Sequence, residues 1–173
     1  TKWSWRIGML AAMVVGSPAV AEDVTISLAG AGKLRVQIGD TLFTEYHLAG
    51  FAKPILYPVV GPDGTRLTRN YPMRPDVAGE ARDHPHHKSL WFTHGNVNGI
   101  DFWGEESHSG QIVHERILHK QNGTDVATLA TENRWVAPDG KTVCTDEREF
   151  WFRVLPAGRA IDLRVTIRAS HGD

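Results

Sequence analysis

A single cysteine, Cys144, stands in the whole chain, so no disulfide can close within it. A lone thiol is compatible with export when it is buried, so it does not point to the cytosol. No apolar run reaches the ~20 residues that a membrane-spanning helix needs. There is no stripe of Lys or Arg, and the formal net charge is -1, which excludes a general binder of nucleic acid or other polyanions. Beyond the first 21 residues no window carries an apolar period of 3.6, so amphipathic helices are not expected. A Gly-x-Ser-x-Gly elbow, a phosphate-cradling glycine loop and a dinucleotide fingerprint are all missing. So is His-Glu-x-x-His, and Cys144 has no cysteine to share a zinc ion with.

What the chain does have is alternation. Hydrophobic residues make up 41% and charged residues 23%, enough apolar content for one packed domain and too much for disorder. Strand-like runs are read at Val24–Leu28, Lys33–Ile38, Thr41–Leu48, Pro54–Val60 and Ser89–Thr93. Further runs follow at Gln111–Gln121, Thr124–Val136, Thr142–Leu155 and Ala160–Ala169. Pro62-Asp63-Gly64 and Pro138-Asp139-Gly140 are turns, in which Pro pre-sets one torsion and Gly accepts a positive φ. Arg69–Arg82 is polar and carries Pro72 and Pro75, so it reads as a loop. Short strands between Gly and Pro turns predict an all-β antiparallel sandwich or barrel. Glu147, Arg148 and Glu149 read as a solvated strand face.

The N-terminus reads as a secretory signal peptide over residues 1–21. Lys2 and Arg6 are its positive region, Ile7–Gly16 its short apolar region, and Ala19-Val20-Ala21 supplies small residues for cleavage. The expected mature domain is 22–173, periplasmic or secreted, with no stable membrane insertion. The chain starts at Thr1 and stops directly after a strand-like run, so the expectation is a sandwich domain truncated at its C-terminus.

Chemistry concentrates in Asp83–Trp103, which holds four of the nine histidines, two acids, two asparagines and four aromatics. Neutral imidazole is the commonest metal ligand and titrates near neutral pH. In an extended backbone His84 and His86 would share a face and His87 would point away. Pro85 restricts this stretch to an edge strand or a rigid loop. His94 could return to the same site, giving a His84, His86, His94 metal set for Zn, Fe or Cu. Asp83, Asp101, Glu105, Glu106 or His108 could complete it. The same histidines, with His87, suit metal-free acid/base catalysis, in which Asp83 or Asp101 fixes a tautomer. They equally suit a plain hydrogen-bonded loop. Trp91 and Trp103 fit stacking on a sugar ring or a place in the core, whereas Phe92 and Phe102 fit the core better. Asn96 and Asn98, in a Gly-bounded turn, offer amides to hydroxyls.

Several of these residues carry a family resemblance. Tyr57-Pro58, Gly61-Pro62-Asp63-Gly64-Thr65, Asp83-His84-Pro85-His86-His87-Lys88-Ser89-Leu90-Trp91-Phe92, His94-Gly95, Val97-Asn98-Gly99 and Asp101-Phe102-Trp103 resemble the exported bacterial proteins labelled "methane oxygenase PmoA-like", a domain of unknown function. The resemblance spans the mature chain, and its members are about twice as long. It implies an all-β sandwich akin to half of a galactose-mutarotase-like supersandwich, in a setting of carbohydrate breakdown. The expected partner is a small saccharide. The expected reaction is His-based proton transfer of the epimerase, lyase or hydrolase type. A metal-dependent oxidoreductase and a non-catalytic carbohydrate-binding module are the alternatives.

Overall fold

A computed structural model describes residues 21–171. The signal-peptide reading therefore lies, apart from Ala21, outside the described residues. Among the described residues there are strands, turns and loops but no helix, and hence no helix long and apolar enough to cross a membrane.

The strands are β1 (Asp23–Leu28), β2 (Lys33–Ile38), β3 (Thr41–His47), β4 (Ile55–Val59), β5 (Leu90–Trp91), β6 (Gln111–Gln121), β7 (Gly123–Thr124), β8 (Val126–Val136), β9 (Thr142–Leu155) and β10 (Gly158–Arg168). They form two antiparallel sheets, a six-stranded one ordered β5-β4-β3-β2-β1-β7 and a four-stranded one ordered β10-β9-β8-β6. Most neighbours in the sheets are neighbours in the chain, as tight turns between alternating runs require. Gly64 and Gly140 take φ of +82° and +85° in the two Pro-Asp-Gly turns. In each turn the aspartate accepts an N–H two residues on, Thr65 to Asp63 and Lys141 to Asp139, both at 3.0 Å.

The sheets pack face to face. Val24, Ile26, Leu34, Val36 and Phe43 of one meet Ala127, Leu129, Phe150 and Phe152 of the other in a single buried cluster. Phe43 packs edge-on to Phe152 with centroids 6.2 Å apart. A second cluster lies at one end. There Phe102 seats on Trp135 at 4.9 Å, with Ile112, Val143 and Cys144 around it and Phe92, Val97 and Ile100 against it. This cluster fastens the long 92–110 loop to the end of the four-stranded sheet. Gly110 permits the seat, because a β-carbon there would run into the Phe102 ring.

Three expectations are corrected. The run expected from Thr124 is split: Asp125 adopts φ +61°, which ends β7 and lets β8 start at Val126. The run expected at Ser89–Thr93 shrinks to Leu90–Trp91, since Ser89 is left-handed at φ +64°. Arg148 is not on a solvated face but is 1% exposed. Period-two alternation forces this. Glu147 and Glu149 face outward, paired with Arg168 and Arg164 of β10, while Asp146, Arg148 and Phe150 face inward. Asp146 compensates the buried guanidinium at 2.8 Å, and also accepts from Asn133 at 2.6 Å and from the Trp135 indole at 2.8 Å. A buried ion pair persists only when its remaining polar atoms find such partners.

Candidate functional site

The Asp83–Trp103 segment enters the fold through β5. This short edge strand pairs with β4 at Ile55–Trp91 and Leu56–Leu90. Just before it the chain makes a tight turn rather than an extended run. His84 adopts φ +44°, His87 N–H donates to His84 O at 2.9 Å, and Lys88 N–H donates to His86 O at 3.1 Å. The expectation that His87 points away from His84 and His86 therefore fails, because alternation holds only for extended backbone. The turn gathers all three rings. Centroids lie 4.9 Å apart for His84–His87, 4.4 Å for His86–His87 and 5.7 Å for His84–His86. One potential ligand nitrogen from each lies within 4.8 Å of the other two.

The turn is clamped from outside. Arg69 donates through Nη2 to Asp83 O at 2.6 Å and His84 O at 2.7 Å, and through Nη1 to the Asp83 carboxylate at 3.0 Å. Arg69 is itself placed by its own loop. Its Nε reaches Tyr71 O at 3.1 Å, and Glu80 receives the Tyr71 N–H at 2.9 Å and the Asn70 amide at 2.8 Å. Tyr57 of β4 then ties Asn70 to the sheet at 3.0 Å. The Arg69 bond holds the Asp83 carboxyl below its ordinary range, and Asp83 Oδ2 stands 3.6 Å from His84 Nε2. Lost hydration, then the neighbouring His86 and His84 rings, pull His87 below the usual histidine value.

His87 also faces a cleft. Together with Ser89, Leu90, Trp91, Phe92, Thr93 and Trp103 it lines an open volume of about 370 Å³. Trp91 and Trp103 meet nearly at right angles, 4.9 Å apart at 72°, and His87 lies 6.2 Å from one and 5.9 Å from the other. Trp103 is 45% exposed. Beneath Trp91 lies Lys53, only 2% exposed, its ammonium 5.1 Å from the ring centroid. Lys53 donates to Trp103 O at 3.2 Å and to Glu105 at 3.4 Å, and Glu105 also pairs with the buried Lys88. Burial drives the Lys53 ammonium below its usual value, against the pull of Glu105.

The other expected site residues serve the loop. Asp101 accepts the backbone N–H of Trp103 at 2.8 Å and of Gly104 at 3.0 Å. Burial raises its carboxyl, but these donors outweigh burial and leave it below the ordinary range. Asp101 thus fixes the backbone that carries Trp103 and stands apart from the imidazoles. His94 lies outside the three-ring cluster, where its Nδ1 receives the Asn96 N–H at 3.1 Å. Asn96 turns its side-chain oxygen on Gly99 N–H at 2.8 Å, and Asn98 supplies a φ of +53°. Neither asparagine lines the cleft.

Residues 33–173 match the profile described as "Family of unknown function (DUF6807)". The chain belongs to this family. No curated protein matches it, and no solved structure does. The family description names no activity, so the chemistry rests on the residues themselves. Arg69, Lys53 and Lys88 are the members of the site that sequence reading passes over. Each acts across the fold rather than along the chain, and a single Lys or Arg has no local signature. Lys88 alone stood inside a conspicuous motif.

Proposed function

We propose that the protein acts on a saccharide or sugar derivative bound in the cleft lined by His87, Trp91 and Trp103, with the His84–His86–His87 cluster as its proton-handling centre. The reaction class is proton transfer at a sugar carbon or a glycosidic oxygen, as in epimerisation, elimination or hydrolysis. One observation carries this reading: His87 belongs both to the imidazole cluster and to the wall of the cleft. A sugar ring has an apolar face and a polar rim. The partly exposed Trp103 indole suits the face. The cleft volume falls in the ~300–1,000 Å³ range of small-molecule sites. The export reading of residues 1–21 belongs to the same proposal and sets the reaction in the periplasm or outside the cell.

The test is a saccharide panel read by intrinsic tryptophan fluorescence, with product analysis alongside. The expected result is saturable binding that Trp103→Ala weakens and turnover that His87→Ala abolishes. Binding that survives loss of all three histidines, with no turnover on any sugar, would make the domain a carbohydrate-binding module. The oxygenase-like alternative needs a redox-active metal on the same cluster, and iron- or copper-dependent oxidation of substrate would favour it.

A further inference from the structure

We infer that His84, His86 and His87 form a binding site for one divalent transition-metal ion at the edge of the Trp91–Trp103 cleft. The inference rests on reading this cluster as the working part of the cleft, and it names the cofactor class: with the ion bound, a water on the metal would handle the proton in place of the ligated imidazoles.

The cluster is preassembled. Ligand nitrogens on one zinc ion lie ~2.0–2.1 Å from the metal, and so roughly 3.4 Å from one another in a tetrahedral site. The three histidines already offer nitrogens within 4.8 Å of one another, and their rings are exposed or half-buried.

Among the described residues, no ring nitrogen of His84, His86 or His87 makes a hydrogen bond within the protein. His47, by contrast, donates to Tyr57 O at 3.0 Å, and His119 pairs with the Thr128 hydroxyl at 3.0 Å. Three imidazoles packed on one another gain little and repel when charged. Yet the fold enforces the arrangement, holding a non-glycine residue in the left-handed region and applying three Arg69 hydrogen bonds. Asp83 lies beside His84 where an outer carboxylate orients a ligating imidazole.

The donor set also selects the ion. Imidazole suits Zn²⁺, Cu²⁺, Ni²⁺ and Fe²⁺, whereas Mg²⁺ and Ca²⁺ demand oxygen. Nearby carboxylates are engaged elsewhere, Asp83 by Arg69, Glu105 by Lys53 and Lys88, and Asp101 by backbone N–H groups. Three protein ligands with no fourth is the pattern of an open site, where a bound ion polarises an oxygen or acidifies a water.

The test uses the chain as it is expressed, stripped with chelator, and Zn²⁺ as the probe, titrated by calorimetry. One Zn²⁺ per chain is expected. His84→Ala, His86→Ala and His87→Ala should each weaken binding by on the order of 100-fold, and Arg69→Gln by about 10-fold through the loosened turn. His94→Ala and His108→Ala should bind as the parent does. Circular dichroism confirms the fold of each variant. Histidine ring nitrogen NMR on the unmutated protein reads the site directly: shifts confined to three rings support it, and shifts elsewhere overturn it. Absence of stoichiometric Zn²⁺, or undiminished binding in the three cluster variants, also overturns it. Sugar titrations with and without Zn²⁺ separate the two readings. Zn²⁺ on the cluster without any saccharide binding removes the proposed substrate class and leaves the metal site. Saccharide binding without Zn²⁺ does the reverse.

Discussion

The turn at His84–Lys88 and the turn at His94–Ile100 lie in one segment and both carry polar side chains, yet they use them in opposite ways. The second satisfies itself. Asn96 N–H caps His94, the Asn96 side chain caps Gly99, and Val97 and Ile100 exchange backbone hydrogen bonds at 2.9 and 3.1 Å. Its hydrogen bonds go to its own backbone, and neither asparagine lines the cleft. The first turn takes its support from Arg69, outside the segment, and leaves three imidazoles with no hydrogen bond to a ring nitrogen among the described residues. A polar turn that stabilises its own backbone is a structural device. A polar turn held in an uncommon conformation by a remote residue, with its side chains idle, is a candidate for chemistry.

The most damaging change should be Phe102→Ala, which removes the footing of the second turn. Phe102 is fully buried against Trp135, and such a truncation costs about 3–5 kcal/mol. Chemical denaturation should show that loss, and sugar binding should weaken with it, because the loop carrying Trp103 comes adrift. Survival of full saccharide affinity would show that the cleft does not depend on the second core cluster.

Arg69→Ala separates the two turns. It removes donors from Tyr71 O, the Asp83 carboxylate, Asp83 O and His84 O, and because most of these bonds are solvent-exposed it should cost only about 1–2 kcal/mol. Its functional effect should be larger than its effect on stability: Zn²⁺ affinity should fall by at least about 10-fold. Fluorescence of Trp103, supported by Asp101, should barely change. Equal disturbance of both turns would mean that they are one cooperative unit and that the contrast between them is false.

The extent to which all this is legible in the sequence follows the range of the interactions. β6 and β9 begin and end where alternation and turns place them, at Gln111–Gln121 and Thr142–Leu155, because strand period and turn chemistry are local. The sandwich follows from the same signals. Arg148 goes astray because three consecutive charges suggest a wet face, although strict alternation must bury one of them if its neighbours point out. In the site, the histidines and Trp91 and Trp103 stand out by composition alone. Their convergence does not, since it depends on a left-handed His84 and on Arg69 fourteen residues before Asp83. His94, Asn96 and Asn98 look equivalent to the cluster in sequence, and only hydrogen-bond partners tell the two apart.

A quieter prediction follows for Asn96. Asn96→Ala leaves Gly99 N–H to solvent and removes one exposed cap, a loss of about 0.5–1 kcal/mol. Sugar turnover and Zn²⁺ affinity should be unchanged in that variant. A loss of turnover without a loss of stability would return Asn96 to the substrate.

The smallest expected effect belongs to His94→Ala, and it bears most directly on which histidines work. His94 is exposed and pairs only with the backbone of Asn96, so its removal should change stability by less than about 0.5 kcal/mol. Composition alone gives His94 the same standing as His84 and His86. The fold gives it none, since its Nδ1 is tied to the Asn96 backbone and its ring stands outside the three-ring cluster. Unchanged Zn²⁺ affinity and unchanged turnover in His94→Ala, measured beside the collapse expected for His87→Ala, would show that occupancy of the ring nitrogens sorts working histidines from structural ones here. Equal losses in the two variants would instead bring the second turn into the site, and would require the 94–100 loop to close on the cleft when a ligand binds.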